Sequence, residues 1–572
     1  MLRNIDKNYS ESVEMQIIIP MSGFGERFRR VGYTVPKPLI EVEGKPIIAH
    51  IIDMFSGENN FIFICNKDHL ATPEYKMREI LLHYCPTGKI ISVESKKLGP
   101  VDAVLQAQQH IKPNTPCIVN YCDFTCYWNW EHFKQFVVDS NCTGAIPTYK
   151  GFHPHSLGTT NYAYMREENG WVLDIQEKMP YTNDRMNEYA SSGTYYFADS
   201  TQMLDAFQQI IEQNLNVNGE FYVSLVYKIL LKLNKNIAVY ELQHFMQWGT
   251  PEDVAEYNMW SQTFKNILIV KKNNISDKLG SVVIPMAGLG KRFVDDGYSV
   301  TKPLIEVSGV PMVIQATNLL PVANHYEFVV RQDMLSYQDI IELLRQHFTP
   351  NGFVELSHVT NGQATSAKLG VEELKYCGDH EALYPITIGS CDSGSVYDMT
   401  KFLKLVHEDV DLIVWVVSGY ANAIRNPHMY GWVESDRDGN IKRISVKKPL
   451  DNLMIDSIIL GTFTFKSVDV FIQCYESLIA RNGQINGEYY LDSCITDAMN
   501  LGFKCRVFEV DNYIPWGTPN ELRTFEYWQS CFHKWATHPY RLELDTMIPK
   551  DILPQLIDKY KQTLPELPRG CM

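Results

Sequence analysis

The chain has 572 residues, 45% of them hydrophobic and 21% charged, which is the mix of a folded globular protein and excludes disordered and fibrous classes. Its length exceeds what one core fills, since chains beyond about 250–300 residues divide into domains. A formal charge of -15 argues against wrapping a nucleic-acid backbone, which needs cations to displace condensed counterions, and leaves small anionic ligands open.

Taken in order, residues 1–15 are polar, with Arg3, Asp6, Lys7, Glu11 and Glu14, and lack the apolar core of a secretory signal. No apolar run is long enough to span a bilayer. The 13 cysteines include no Cys-x-x-Cys pair. Cys122 and Cys126 come nearest to metal-ligand spacing, but no second pair or nearby histidine completes a tetrahedral set. The expected state is reduced, mostly buried thiols in the cytoplasm.

The first predicted element is an apolar strand, Ile17-Ile18-Ile19, that runs into Ser22-Gly23-Phe24-Gly25-Glu26-Arg27-Phe28. Lys37 comes next, clamped between Pro36 and Pro38, which restrict the backbone around it. Further strands are predicted at 61–65, at 117–120 just before Asp123, and at 412–417; all are continuously apolar, as strands buried on both faces are. The turn recurs as Met286-Ala287-Gly288-Leu289-Gly290-Lys291-Arg292-Phe293, with Gly23 and Gly288 265 positions apart (288 − 23). The same offset relates Lys37 to Lys302. With small insertions, Asp123 pairs with Asp392, Lys178 with Lys448, Gly193 with Gly461, Glu220 with Glu488, and Trp248-Gly249-Thr250-Pro251 with Trp516-Gly517-Thr518-Pro519. Such self-similarity predicts a tandem α/β protein in which each copy is a mixed, mostly parallel sheet flanked by helices. The expected boundaries are a first domain at 1–265, a polar linker at 266–279, a second domain at 280–530 and a helical C-terminal extension at 531–572.

The glycine turn allows several readings. A dinucleotide fingerprint would want a third glycine where Arg27 stands, a Walker loop would end in Gly-Lys-Ser/Thr, and a tight strand-to-helix turn needs no ligand. Duplication together with Lys37 and Lys302 favours polyphosphate, because glycines let backbone N–H groups approach an anion and Arg27 adds a planar cation.

Gly-x-Gly-x-Arg-Phe, then Pro-Lys-Pro-Leu, an aspartate after an apolar strand, a Glu-Lys pair and Trp-Gly-Thr-Pro-Glu together resemble the sugar-1-phosphate nucleotidyltransferase family and its small cytidylyltransferase relatives. The likeness covers about 15–264 and, less fully, 280–530. It implies Rossmann-like domains that join a nucleoside triphosphate to a phosphorylated acceptor and release pyrophosphate, with Mg as cofactor. It also implies that Met21, Ser22, Gly23, Gly25 and Gly99 cradle the nucleotide, that Arg27 and Lys37 face the triphosphate, and that Asp123 holds the metal. Lys178 would grip the acceptor phosphate, while Glu177, Gly193 and Glu220 line the acceptor pocket.

In the second copy the matching positions are Met286, Ala287, Gly288, Gly290 and Gly362 for the nucleotide, Arg292, Lys302 and Lys448 for the catalytic cations, Asp392 for the metal, and Gly461 and Glu488 for the acceptor. Two departures stand out. Gln247 and Pro515 replace the family's second metal-binding aspartate, and Lys447 stands opposite Glu177 in this register, which would reverse a charge. CTP is the nucleotide favoured for the first copy on resemblance. The acceptor is left open between a sugar 1-phosphate, used to supply surface polysaccharide, and a non-sugar phosphate. The second copy is left open between an enzyme and a nucleotide-binding regulatory domain, and a homo-oligomer is left open too. A dinucleotide-dependent oxidoreductase is the rival class, and neither a nucleic-acid nor a membrane partner is expected.

Overall fold

The computed structural model describes residues 15–159, 161–242, 244–269, 278–377, 383–453 and 455–562. The polar N-terminal residues 1–14 and most of the expected linker, 270–277, lie outside them. The chain forms two compact units, whose described parts are 15–258 with 561–562, and 259–560. The first therefore ends earlier than the expected 265, within the helix Pro251–Ile267. From Met259 on, this helix packs into the second unit, where Phe264 rests against Phe525, Phe532 and Tyr540.

In the first unit Gln16–Met21 lies third from one end of a ten-stranded sheet. Phe61–Asn66 and Cys117–Asn120 flank it in parallel, and Lys89–Val93 extends the parallel block. These central strands are fully buried, which explains why they read as unbroken apolar runs rather than alternating ones. Beyond Cys117–Asn120 the sheet turns antiparallel: Thr194–Phe197 pairs with it and with Gly144–Tyr149, and Ala163–Glu168 pairs with Trp171–Glu177. The expectation of a mostly parallel sheet needs correction. Hairpin-linked strands, whose alternating polar faces blur in the sequence, fill the half that carries the acceptor-side residues.

The second unit repeats this order around Ser281–Pro285, flanked in parallel by His325–Arg331 and Ile386–Ile388, with Ser457–Phe465 and Leu412–Ser418 continuing antiparallel. Each unit also has a small antiparallel ladder next to its aspartate, Phe124–Tyr127 with His244–Gln247 in the first and Ser393–Val396 with Asn512–Pro515 in the second. The expected extension does not start at 531, because the helix Pro519–Lys534 runs through that point. The segment after Lys534 folds back within the second unit. Gln529 accepts from the Tyr560 hydroxyl at 2.6 Å, Tyr540 donates to Asp545 at 2.6 Å, and Gln315 donates to the Met547 carbonyl at 3.2 Å.

Among the described residues, no helix is long and apolar enough to cross a membrane.

Candidate active site

In the first unit the glycine turn leaves the carboxyl end of the strand Gln16–Met21, and Asp123 comes just after the strand Cys117–Asn120 beside it. Ligands of open α/β sheets bind at such strand ends. Gly25 adopts a left-handed conformation, φ 66, and caps a helix of only five residues, Glu26–Arg30, through which Phe28 is anchored in the core. So short a helix has little macrodipole. The turn's attraction for anions rests instead on its own N–H groups and on nearby cations.

The walls converge on one cleft of ≈ 600 Å³, lined by Met21, Ser22, Gly23, Gly25, Arg27, Lys37, Gly99, Asp123, Glu177, Lys178, Gly193 and Glu220. Every first-copy position named from the sequence thus meets there. Lys37 donates to Asp123 at 2.9 Å, both side chains being partly buried. Burial is the largest influence on Lys37 and would lower its pKa, but the charge of Asp123, the neighbouring Cys122 and the hydrogen bond to Asp123 together outweigh it and hold the ammonium above its ordinary value. Arg27 is exposed and near enough for its charge to oppose that of Lys37. Both cations thus line the cleft, with the Asp123 carboxylate bonded to Lys37.

On the acceptor side, Lys178 takes positive φ, 58, and its N–H donates to the Tyr162 carbonyl at 2.8 Å. Its ammonium lies 4.3 Å from the Tyr222 ring centre, donates to the Tyr222 hydroxyl and lies 4.0 Å from Glu220. Glu177 accepts from Ser224 at 2.6 Å. Burial lifts the Glu177 carboxyl to about 7, against the pull of that hydrogen bond and of Lys178. Gly99 has φ 91, and a Cβ there would lie 2.8 Å from the Phe221 backbone, so only glycine lets these two segments meet.

The aromatic residues Tyr162 and Tyr195 also line the cleft. Tyr196 is buried against Phe133 instead. Tyr222 and Ser224, which motif comparison missed, are two and four residues after Glu220; the repeated Asn-Gly-Glu-x-Tyr of 218–222 and 486–490 was the available signal. Gln247, expected near the metal, has its amide oxygen taken by the Tyr162 hydroxyl and its nitrogen donating to Asp253 at 3.2 Å. Asp123, beside Lys37 in the cleft, is a carboxylate able to take a divalent cation, and Mg²⁺ commonly needs only one or two beside phosphate and water oxygens.

In the second unit Lys302 donates to Asp392 as Lys37 does to Asp123. Burial raises the Asp392 pKa and Lys302 more than offsets it, for a net lowering. Met286 and Ala287 are buried at the end of the first strand, and Gly290, φ 62, caps the short helix Lys291–Asp295 that carries Arg292. Gly362 matches Gly99, since a Cβ on it would lie 2.6 Å from the Tyr489 backbone. Gly461 has φ 72 where Gly193 has 99, and Glu488 accepts from Tyr490 as Glu220 does from Tyr222.

One pairing is corrected. Lys447, not Lys448, occupies the place of Lys178: its φ is 59, its N–H donates to the Tyr430 carbonyl at 3.1 Å, and its ammonium lies 5.9 Å from the Tyr490 ring centre. Lys448 is exposed. Val446 therefore stands opposite Glu177, and no charge is reversed there. Sequence comparison alone placed Lys448 wrongly because two adjacent lysines satisfy the pattern equally well, whereas only one can take the left-handed turn.

Residues 16–260 match the family model described as Nucleotidyl transferase. The bifunctional protein GlmU of Bacillus subtilis is 23% identical over 331 residues, 56% of this chain and 69% of that protein. The mannose-1-phosphate guanylyltransferase catalytic subunit beta of Dictyostelium discoideum is 26% identical over 202 residues, 34% of this chain and 52% of that protein. Among solved structures, a nucleoside-diphosphate-sugar pyrophosphorylase from Vibrio cholerae RC9 aligns over 42% of this chain and 99% of its own, with 18% sequence identity and a TM-score of 0.35.

Proposed function

Residues 16–260 belong to the nucleotidyl transferase family, and from that premise we propose that the first unit transfers a nucleotidyl group from a nucleoside triphosphate to a phosphorylated acceptor, releasing pyrophosphate. The observation that carries this reading is that the glycine turn, Arg27, Lys37, Asp123 and Lys178 all line one cleft. An acceptor phosphate oxygen held by Lys178 attacks the α-phosphorus. The bond from oxygen to phosphorus forms as the bond to the β-phosphate oxygen breaks, and the charge of the departing pyrophosphate is met by Arg27 and Lys37. Such a reaction asks the protein for alignment and charge neutralisation rather than for a covalent intermediate. Asp123 would hold Mg²⁺, which supplies further neutralisation of the phosphate oxygens when bound.

The second unit is read as a tandem relative of the first, on its matching strand order and its Lys302–Asp392 pair. The acceptor is read as a sugar 1-phosphate, in line with the mannose 1-phosphate of the named relative, and the product as an activated precursor for a surface polysaccharide. No disulfide joins the described cysteines, most of which are buried, which supports a reducing, cytoplasmic setting.

The test is pyrophosphate release by the full chain with Mg²⁺, a panel of triphosphates headed by CTP, and a panel of sugar 1-phosphates and other phosphorylated acceptors. Release should require all three components and should vanish on chelation. Asp123→Asn should cut first-unit turnover by roughly 10²–10³-fold, the scale for one lost charge-stabilising group. Near-normal turnover in that variant refutes the assignment.

A further inference from the structure

Around Lys447 three residues differ together from their counterparts around Lys178. The strand residue Glu177 becomes Val446, the helix residue Ser224 becomes Asp492, and the strand residue Ala163 becomes Gly431. The equivalences are fixed by register. Glu177 pairs with Ala163 as Val446 pairs with Gly431, and Ser224 and Asp492 are each the second residue of the helix just after the tyrosine, in Val223–Lys232 and Leu491–Asn500.

In the first unit the strand provides the carboxylate and the helix provides the hydroxyl that donates to it. In the second unit the strand ends in an apolar side chain and the helix provides the carboxylate. Gly431 is what makes this arrangement fit, because a Cβ on it would lie 2.3 Å from Oδ2 of Asp492. An alanine, as at 163, would overlap the carboxylate. Valine removes the competing acid, glycine opens the space and aspartate fills it.

The lysine is kept throughout. Lys447 holds the same strained backbone conformation as Lys178, and its charge pulls on Asp492, whose carboxyl burial nevertheless lifts to about 6. Tyr490 and Glu488 repeat the Tyr222–Glu220 contact beside it. An ammonium, a carboxylate with no side-chain hydrogen bond among the described residues, and a tyrosine-held glutamate make a set suited to a phosphate with hydroxyl donors attached.

We propose that the second unit has its own acceptor site for a sugar phosphate, in which Lys447 holds the phosphate and Asp492 accepts hydrogen bonds from sugar hydroxyls, presented from the helix where Glu177 of the first unit is presented from the strand. This rests on the reading of the second unit as a tandem relative of the first. Because the carboxylate approaches from another wall, the two units select acceptors with differently placed hydroxyls.

The test uses the full chain carrying Asp123→Asn and Lys178→Ala, which removes first-unit turnover and its acceptor-phosphate contact. A defined mixture of glucose, galactose, mannose and N-acetylglucosamine 1-phosphates is probed by saturation-transfer NMR, and the affinity of each binder is measured by titration, with inorganic phosphate as the reference probe. At least one sugar phosphate should bind more tightly than inorganic phosphate. Asp492→Asn should weaken that sugar phosphate by about 10- to 100-fold, the scale of a hydrogen bond to a charged group, and leave inorganic phosphate unchanged. Lys447→Ala should weaken both. The triple change Gly431→Ala, Val446→Glu, Asp492→Ser should change which sugar phosphate binds best.

Sugar phosphates that bind no better than inorganic phosphate overturn the proposal, and so does equal weakening of both probes by Asp492→Asn. Failure of the first-unit reading would show separately, as a lack of pyrophosphate release by a chain carrying only Lys447→Ala.

Discussion

Glu177 offers the most exacting check on the acceptor pocket. Its carboxyl accepts a hydrogen bond from Ser224 and is half-buried in the wall of the cleft, and this burial lifts its pKa from 4.5 to about 7. Between those values the folded unit binds more protons than the unfolded chain. Stability therefore falls as pH rises through that window, and the full cost stands above pH 7. At 1.36 kcal/mol per unit, the cost of the ionised form is about 1 kcal/mol at pH 5 and about 3 kcal/mol at pH 8.

Glu177→Gln keeps an oxygen for Ser224 and has no charge to bury. Relative to the unaltered protein its advantage should grow by about 2 kcal/mol from pH 5 to pH 8. For a unit of this size that is roughly 4–8 °C in the midpoint of its thermal transition, read by paired scans of both proteins across the pH range. The other ionising groups are common to both proteins and cancel in the difference. Midpoint-against-pH curves that run parallel would refute the claim that Glu177 is held in a desolvated pocket.

His50 predicts the opposite slope. It is buried with Nε2 against the Val42 carbonyl at 2.8 Å, and burial lowers its pKa from 6.5 to about 4, so the stability it permits is complete above pH 6.5 and is lost as pH falls towards 4. The second unit has Gln315 against the Val307 carbonyl at the matching place; His50→Gln should remove about 3 kcal/mol of acid sensitivity, measured as the change in thermal midpoint between pH 4 and 7. Gly99→Ala should destabilise the first unit by more than 1–3 kcal/mol, because strained φ is joined by a backbone overlap at 2.8 Å that cannot relax as a side chain could; Gly219→Ala, with φ 81 and nothing within 4 Å, serves as the control and should cost less. Lys37→Ala should lower first-unit kcat by roughly 10²–10³-fold with little change in midpoint, since its partner Asp123 remains open to solvent in the cleft.

Much of the site was legible in the sequence because it is written locally. A glycine needed at positive φ, a lysine fixed between prolines and an aspartate closing an apolar strand each announce themselves within a few residues, and the second copy shows that the pattern is no accident. Strand pattern and duplication pointed to the α/β class, and the positions that the family resemblance singled out, from Met21 to Glu220, line one cleft. Tertiary structure decided what depends on partners far apart in the chain. Which of two adjacent lysines takes the place of Lys178 was settled by a backbone turn and a carbonyl some 17 residues earlier, at Tyr430. Whether the sheet is mostly parallel depended on pairing among short strands whose order no local pattern encodes. The exchange of Glu177 for Asp492 was invisible for the same reason: residues 431, 446 and 492 share one pocket only after the hairpin and helix have packed, and overlap between a carboxylate and a missing Cβ is a property of space, not of sequence.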